Sequence, residues 1–232
     1  MANVDRPTTD DDEHPEKDPA RKLQILATEH WSLLATRSLT YGESFSRAGM
    51  FFTVLTGAVV SLTLLGQVEH FNRVFTEVAL LILAVVFLFG LATLGRISTL
   101  NREDMLWVAG MNRLRRAYLE LEPELEGYFL TDSHDDIRGV LASMGIQMTP
   151  GQRLLRDLAH GFTTMPAMLG LIVEVVAGVM GALVAASFGA SDAITIIVGA
   201  VTFLVTAGLV GVRMQRAFIS FAGTFRARFP ST

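Results

Sequence analysis

The sequence contains no cysteine, and this absence excludes disulfide bonds, thiolate metal sites and cysteine nucleophiles. It also has no GxSxG, HExxH, P-loop or GxGxxG motif in the required structural context. We therefore expect neither an enzyme nor a bound metal or cofactor. The first 20 residues lack the basic and apolar regions of a signal peptide, so we expect the first apolar run to direct targeting.

Charge is nearly absent from four long apolar runs, residues 48–67, 75–94, 164–187 and 193–212. Each run has about 20 residues or slightly more and at most one formal charge. A helix of that length covers the roughly 30 Å hydrocarbon core of a bilayer. Only a helix satisfies the backbone polar groups of one segment in lipid. The sequence therefore predicts an all-α integral membrane protein with four transmembrane helices in two hairpins.

Basic residues are almost missing from the two short connections within these hairpins. The first connection has one, Arg73, the second has none, and the other 18 of the 19 Lys and Arg residues lie on the opposite side of the spans. Basic residues close to span ends are retained in the cytoplasm. Both termini and the middle of the chain are therefore predicted to be cytoplasmic.

The chain divides into five predicted parts. They are a disordered acidic tail (1–20), a first hairpin with cytoplasmic extensions (21–130), a cytoplasmic helical linker (131–163), a second hairpin (164–212) and a basic amphipathic tail (213–232). The first tail has seven acidic residues and three prolines, with almost nothing apolar to bury. The last alternates arginine with phenylalanine, a pattern typical of a helix on an anionic leaflet. A tail packed on the cytoplasmic helices is the alternative.

Apolar stripes at helical spacing continue beyond the first two spans. One includes Leu26 and Leu34 before the first span, and the other includes Trp107 and Leu114 after the second. We expect the two helices to pack as an antiparallel pair outside the membrane and to bury these four residues. Pro123 is expected to end or kink the second helix.

Glu174 lies near the middle of the third run, where an ionised carboxylate must be protonated, partnered or hydrated. The predicted groove of small residues around it consists of Gly170, Gly178, Gly181 and Gly199. The predicted polar partners on the fourth run are Thr195, Thr202 and Thr206. One interpretation is functional: Glu174 is an ion or proton site, or contributes to a ring of carboxylates in an oligomeric pore. The other is structural: Glu174 is protonated and hydrogen-bonds a neighbouring helix.

Two arginine clusters are candidates for binding lipid phosphate. They are Arg113, Arg115 and Arg116 after the second span, and Arg213 and Arg216 after the fourth. For the first cluster a nucleotide site or a solvated basic face are alternatives. Two helix starts are predicted between the hairpins: Ser133 as an N-cap before His134-Asp135-Asp136, and Thr149-Pro150 as the start of a helix over 150–162. The His134-Asp135-Asp136 cluster could also bind a metal, although acidic residues in the first turn of a helix are ordinary.

Four segments resemble an uncharacterised family of bacterial, largely actinobacterial, integral membrane proteins. They are EHWSLLATR (29–37), FSRAGM (45–50), MNRLRRAY (111–118) and EPELEGYF (122–129). This resemblance implies a bacterial inner-membrane protein and no particular activity. The layout of the first half is also similar to the SLATT-type two-span modules proposed as pore-forming effectors in bacterial conflict systems.

Two functions of different classes are compatible with these patterns. The first is a channel or small transporter, assembled as a homo-oligomer, with Glu174 in its permeation path. The second is a non-conducting membrane scaffold or sensor that binds a cytoplasmic protein partner of unknown identity. We expect no nucleic-acid partner.

Overall fold

The computed structural model describes residues 19–70, 72–146 and 164–231, and within them it contains helices and no strands. The helices are α1 (Pro19–Glu69), α2 (Arg73–Leu121), a 3₁₀ helix (Pro123–Tyr128), α3 (Ile137–Ser143), α4 (Met165–Ser187) and α5 (Asp192–Thr224). Each of α1, α2, α4 and α5 is long and apolar enough to cross a membrane. The predicted all-helical class with four such helices is therefore confirmed.

The helix boundaries have local chemical causes. Asn72 caps α2 by accepting a hydrogen bond of 3.0 Å from the backbone N–H of Phe75. α2 ends at Leu121, and after the C-cap Glu122 the residue Pro123, which has no N–H to donate, begins the 3₁₀ helix, as expected. α1 begins at Pro19, inside the predicted acidic tail, and the remainder of that tail lies outside the described residues.

The linker differs from its prediction in one respect. α3 begins at Ile137 because Asp136, and not Ser133, is its N-cap, with the Asp136 carboxylate accepting a 2.8 Å bond from the N–H of Gly139. Asp135 instead bonds to residues 228 and 229 of the C-terminal segment, and the carbonyl of His134 accepts a bond from Asn112. The helix predicted over 150–162 lies outside the described residues.

α1 and α2 pack as one long antiparallel pair. Their contacts run from Phe51 beside Gly90 to His30 stacked on Tyr118, with ring centroids 6.0 Å apart. The predicted pairing of the extensions is thus confirmed. The prediction that four residues of this pair are buried is confirmed only in part. Leu114 is buried, Leu26 and Trp107 are half-buried, and Leu34 is 41% exposed. The prediction for Leu34 is wrong because its neighbour Leu33 is the residue that faces α2, at Gly110.

The main core lies where α1, α2 and α4 meet. Its central side chains are Phe51, Val86, Leu169 and Val173, all essentially buried. α4 packs against both α2 and α5, whereas α5 and α2 touch at only a few points. α4 therefore separates α2 from α5 along much of the molecule.

A second, smaller core lies beyond the spans. Met105, Val108 and Ala109 of α2 pack there with Val140 of α3, and Phe221 and Phe225 cover them. The C-terminal tail was expected either to lie on an anionic leaflet or to pack on the cytoplasmic helices. In the structure, Phe221 and Phe225 of this tail pack on α2 and α3. We call the described residues of 19–47, 95–146 and 213–231, which all lie at this end of the molecule, the polar unit.

Candidate functional site

The small residues of α4 and α5 form a close helix–helix contact. A Cβ added to Gly178 would lie 3.1 Å from the carbonyl oxygen of Gly199, and one added to Gly199 would lie 3.1 Å from the Cβ of Ala182. A Cβ on Gly181 would collide with Thr202. Larger side chains would not fit between backbones this close. Small residues commonly allow membrane helices to approach one another in this way.

Glu174 lies one turn from Gly170 on the same helix and is half-buried. A Cβ added to Gly170 would be 3.8 Å from the Oε1 of Glu174 and 3.8 Å from the Cδ2 of Leu94 on α2. Among the described residues, no hydrogen bond or ion pair engages the Glu174 carboxyl group. This side chain is therefore at the edge of the small-residue contact and not within it.

The threonines of α5 do not bind Glu174. Thr202 donates a 2.8 Å hydrogen bond to the carbonyl oxygen of Val198 in its own helix, as threonine commonly does in membrane helices. Thr195 and Thr206 are half-buried. The structure thus brings Gly178, Gly181, Gly199 and Thr202 together, and leaves Glu174 without the threonine hydrogen bonds that the sequence suggested.

Outside the spans, a buried ion pair connects α1 to α2. The Nε of Arg37 donates a 2.7 Å hydrogen bond to Asp104, which is 3% exposed. The hydroxyl of Tyr41 donates to the same carboxylate at 3.1 Å. A buried charge with several partners fixes the relative position of the helices that carry it, because displacing either helix would leave the charge unpaired.

A second ion-pair group lies one to two turns closer to the spans. Arg96 of α2 binds the carboxylate of Glu43 through two nitrogens, each 2.9 Å from its oxygen, and Arg47 binds it at 2.7 Å. The guanidinium of Arg96, followed by that of Arg47, lowers the pKa of Glu43 to about 2. This carboxylate therefore stays ionised throughout the physiological pH range.

Asn112 is a fully buried junction between α2 and the linker. Its amide nitrogen donates a 2.7 Å bond to the carbonyl of His134. Its amide oxygen accepts bonds from Arg115 at 2.7 Å and from Ser143 of α3 at 3.1 Å. This single side chain thereby fixes the linker and α3 on α2.

The acidic pair Asp135 and Asp136 binds the C-terminal segment, which we define as residues 225–231. Asp135, fully buried, accepts bonds from the backbone N–H groups of Arg228 (2.9 Å) and Phe229 (2.6 Å), and also from Arg113. Asp136 accepts from the backbone and hydroxyl of Ser231. The possible metal-binding role of this cluster is thus replaced by binding of the chain's own terminus.

The pKa values of both carboxyl groups are altered by this arrangement. Burial by itself would raise the pKa of Asp135, but the N–H of Arg228 and the guanidinium of Arg113 outweigh it and lower the pKa. For Asp136, burial is likewise outweighed, chiefly by the Ser231 hydroxyl and the N–H of Gly139. Both groups are therefore ionised at neutral pH and hold the segment as charged acceptors.

The two arginine clusters lie at very different distances from the spans. Arg113 pairs with Asp135, Arg115 binds Asn112, and Arg116 is 3.6 Å from Glu120. These positions start about 28 Å along α2 from residue 94, the end of the predicted second span. Arg213 and Arg216 directly follow residue 212 at the end of the predicted fourth span, and both are exposed.

The outer face of α1 carries a regular pattern that the sequence analysis missed. Small residues recur at every seventh position and are all exposed: Thr28, Ala35, Gly42, Gly49, Thr56 and Thr63. A Cβ added to Gly42 or Gly49 would meet nothing within 4 Å. A search of the sequence for a seven-residue period of small residues would have detected this column.

Comparison with protein-family models, with curated proteins and with solved structures finds no match for this chain. Within the described ranges, no group of three or more His, Asp or Glu side chains could hold a metal ion.

Proposed function

We propose that this protein is a non-conducting scaffold of the bacterial inner membrane that self-associates along α1 and holds its polar unit in the cytoplasm. The observation that carries the proposal is the seven-residue column of exposed small residues on α1. The cytoplasmic orientation is supported by the distribution of charge, since 18 of the 19 basic residues lie outside the two short connections.

A second column runs beside the small one, three residues further along the helix. Its exposed large residues are Trp31, Phe45 and Val59, which are 71%, 64% and 54% exposed, whereas Ser38 is small and Phe52 packs partly against the main core. Phe45 lies between Gly42 and Gly49. Two parallel copies of α1 can therefore interlock, with the large residues of each placed over the small residues of the other.

The face continues from the polar unit into the span, and this continuity favours a second copy as its occupant. Lipid can cover Val59 but cannot cover Trp31, which lies 17 residues before the predicted first span. A soluble partner can cover Trp31 but not Val59. A second copy presents the same residues at the same depth in the membrane and covers both parts.

The packing within one copy supports a scaffold more than a conduit. At Gly178 and Gly199 the backbones of α4 and α5 are in contact, so no passage runs between these helices there. In the polar unit, Asp104 and Asn112 fix α1, α2 and α3 to one another through buried polar bonds. Such a unit offers its cytoplasmic partners a rigid surface.

Engineered cysteines test the self-association directly, because the natural chain has none. We expect Gly42→Cys and Gly49→Cys to give disulfide-linked dimers when isolated membranes are oxidised. Met50→Cys is the matched control, since Met50 is exposed but lies about 100° around the helix from Gly49. Equal cross-linking at all three positions, or at none, would contradict the proposed interface.

A second pair of variants separates the interface from general damage. We expect Gly49→Leu to abolish cross-linking through Gly42→Cys, because the larger side chain fills the hole for Phe45. Gly208→Leu should preserve it, since Gly208 is likewise exposed with open space around it but lies on α5. Loss of cross-linking in both variants would show that the effect is not specific to α1.

An oligomeric channel is the second candidate, and Glu174 is the observation that favours it. Its carboxyl group lies within a span and has no polar partner among the described residues. In reconstituted liposomes the channel hypothesis predicts flux whose pH dependence or cation preference is lost in Glu174→Gln, with assembly unchanged. No flux from the wild-type protein, or flux unaffected by the Gln variant, would exclude this role for Glu174.

A further inference from the structure

A cleft of about 1020 Å³ lies between α2 and α5. It exists because α4 separates the two helices at one end of it, while Phe221 and Phe225 bring α5 back to α2 at the other. The cleft includes the ends of the second and fourth predicted spans, residues 94 and 212. If the spans cross the bilayer, this is the depth of the phosphate groups of one leaflet.

The walls of the cleft change in character along its length. Toward the spans they are apolar, with Leu91 from α2 and Leu209 and Val210 from α5. Toward the polar unit they carry three guanidinium groups, those of Arg102, Arg213 and Arg216. Along the cleft, an apolar surface is therefore followed by a cationic one. A phospholipid has the matching order, with apolar acyl chains followed by an anionic phosphate.

Within the described residues, these three arginines have no acidic partner, in contrast to three others of the polar unit. Arg37, Arg96 and Arg113 each bind a carboxylate of the same unit. In the part of the chain that the structure describes, Arg102, Arg213 and Arg216 have no carboxylate oxygen within 4.0 Å. Arg102 donates a 3.1 Å hydrogen bond to the hydroxyl of Thr99, which also lines the cleft.

We propose that this cleft binds an anionic phospholipid of the cytoplasmic leaflet. Arg102, Arg213 and Arg216 bind its phosphate group, and the acyl chains lie along Leu91 and Leu209. Guanidinium groups bind phosphate oxygens in pairs of hydrogen bonds, and basic pockets between membrane helices are established sites for anionic headgroups. A free phosphate would use the same arginines but would leave the apolar wall uncovered, and therefore a lipid fits the cleft better.

The site has a structural consequence because it involves α5 just before the C-terminal segment. A phosphate bound by Arg102 and Arg213 connects α2 to α5 at a level where the two helices are otherwise apart. The cleft lies between α2 and α5, whereas α1 packs along α2 through other residues, such as Phe51 beside Gly90. The proposal is thus independent of self-association along α1.

Lipid retention by the purified, full-length protein tests the proposal. Native mass spectrometry would count phosphatidylglycerol and phosphatidylcholine molecules that remain bound after release from mixed micelles. We expect retained phosphatidylglycerol on the wild type, and weakening of its binding by about 30-fold in Arg213→Gln/Arg216→Gln, on the basis of two guanidinium contacts. Arg213→Lys/Arg216→Lys should restore part of the binding, because the charge is kept while the paired hydrogen bonds are lost.

The control removes two charges elsewhere in the polar unit. Arg21 and Arg138 are exposed and, within the described residues, pair with no acid, so Arg21→Gln/Arg138→Gln should bind phosphatidylglycerol as the wild type does. Equal weakening in both double variants would show only a general effect of charge and would overturn the site. Displacement of the lipid by millimolar inorganic phosphate would identify a free-phosphate site and would also overturn the proposal.

Discussion

At the scale of single residues, Gly90 is a tightly constrained position in the main core. A Cβ added there would lie 2.6 Å from Cγ2 of Val173 on α4 and 2.9 Å from Cε2 of Phe51 on α1. Real side chains do not approach so closely, so the absence of a side chain at Gly90 is what allows α1, α2 and α4 to meet.

We therefore predict that Gly90→Ala destabilises the protein by about 1–3 kcal/mol, the usual penalty for overpacking a dense core. Gly95→Ala on the same helix should be neutral or stabilising by up to about 1 kcal/mol, because its added Cβ would meet nothing within 4 Å and alanine favours the helix. Unfolding in mixed detergent micelles measures both variants. A stability of Gly90→Ala equal to that of Gly95→Ala would contradict the packing described.

The sequence could not single out Gly90, because one glycine in an apolar run gives the same pattern whether it faces lipid or two other helices. Leu33 and Leu34 show the same limit on a smaller scale. Adjacent leucines fit either side of a stripe, and only the register of α1 against α2 decides that Leu33 faces Gly110. Periodicity thus predicted the helices and their pairing, but not the residues that make the closest contacts.

At the scale of elements, the C-terminal segment depends on contacts between residues more than 90 positions apart in the chain, those from Asp135 and Asp136 to residues 228–231. No local pattern signals such a contact. From the sequence the acids are therefore predicted to lie in the first turn of a helix capped by Ser133, and the tail is as compatible with a membrane surface as with a helix surface.

We predict that Asp135→Ala releases this segment while the helices stay folded. The backbone N–H groups of Arg228 and Phe229 lose their acceptor, and trypsin should then cleave after Arg226 and Arg228 several-fold faster than in the wild type. Asp132→Ala is the control, since the hydrogen bonds of the Asp132 carboxylate among the described residues are to the backbone N–H and the ring of His134. Unchanged cleavage in Asp135→Ala would show that Phe221 and Phe225 are sufficient to hold the segment.

The same contacts should respond to acid in a defined direction. The pKa values of Asp135 and Asp136 are lowered in the folded protein, so their stabilising effect is complete above the ordinary aspartate pKa of about 3.9 and is lost as the pH falls through the lowered values. A spin label at Pro230→Cys should therefore be immobile at neutral pH and become mobile only in strong acid. Release of the label between pH 6 and 8 would contradict the assignment.

At the scale of the whole molecule, the polar unit collects the extensions of α1, α2 and α5 at one end. We predict that reporter fusions at the C-terminus and in the linker report a cytoplasmic location, and that a reporter inserted at Gly189 reports the opposite side. The reason is the arginine content of the extensions, since moving them across the membrane is unfavourable. A periplasmic C-terminus would reverse the orientation and would remove the cytoplasmic leaflet from the lipid site.

At the end of the molecule opposite the polar unit, the chain passes from α1 to α2 and from α4 to α5 in only a few residues, at His70–Asn72 and at Phe188–Ser191. In the orientation that we propose, these short connections leave little of the described chain on the outer side. A large soluble partner would therefore have to dock on the polar unit.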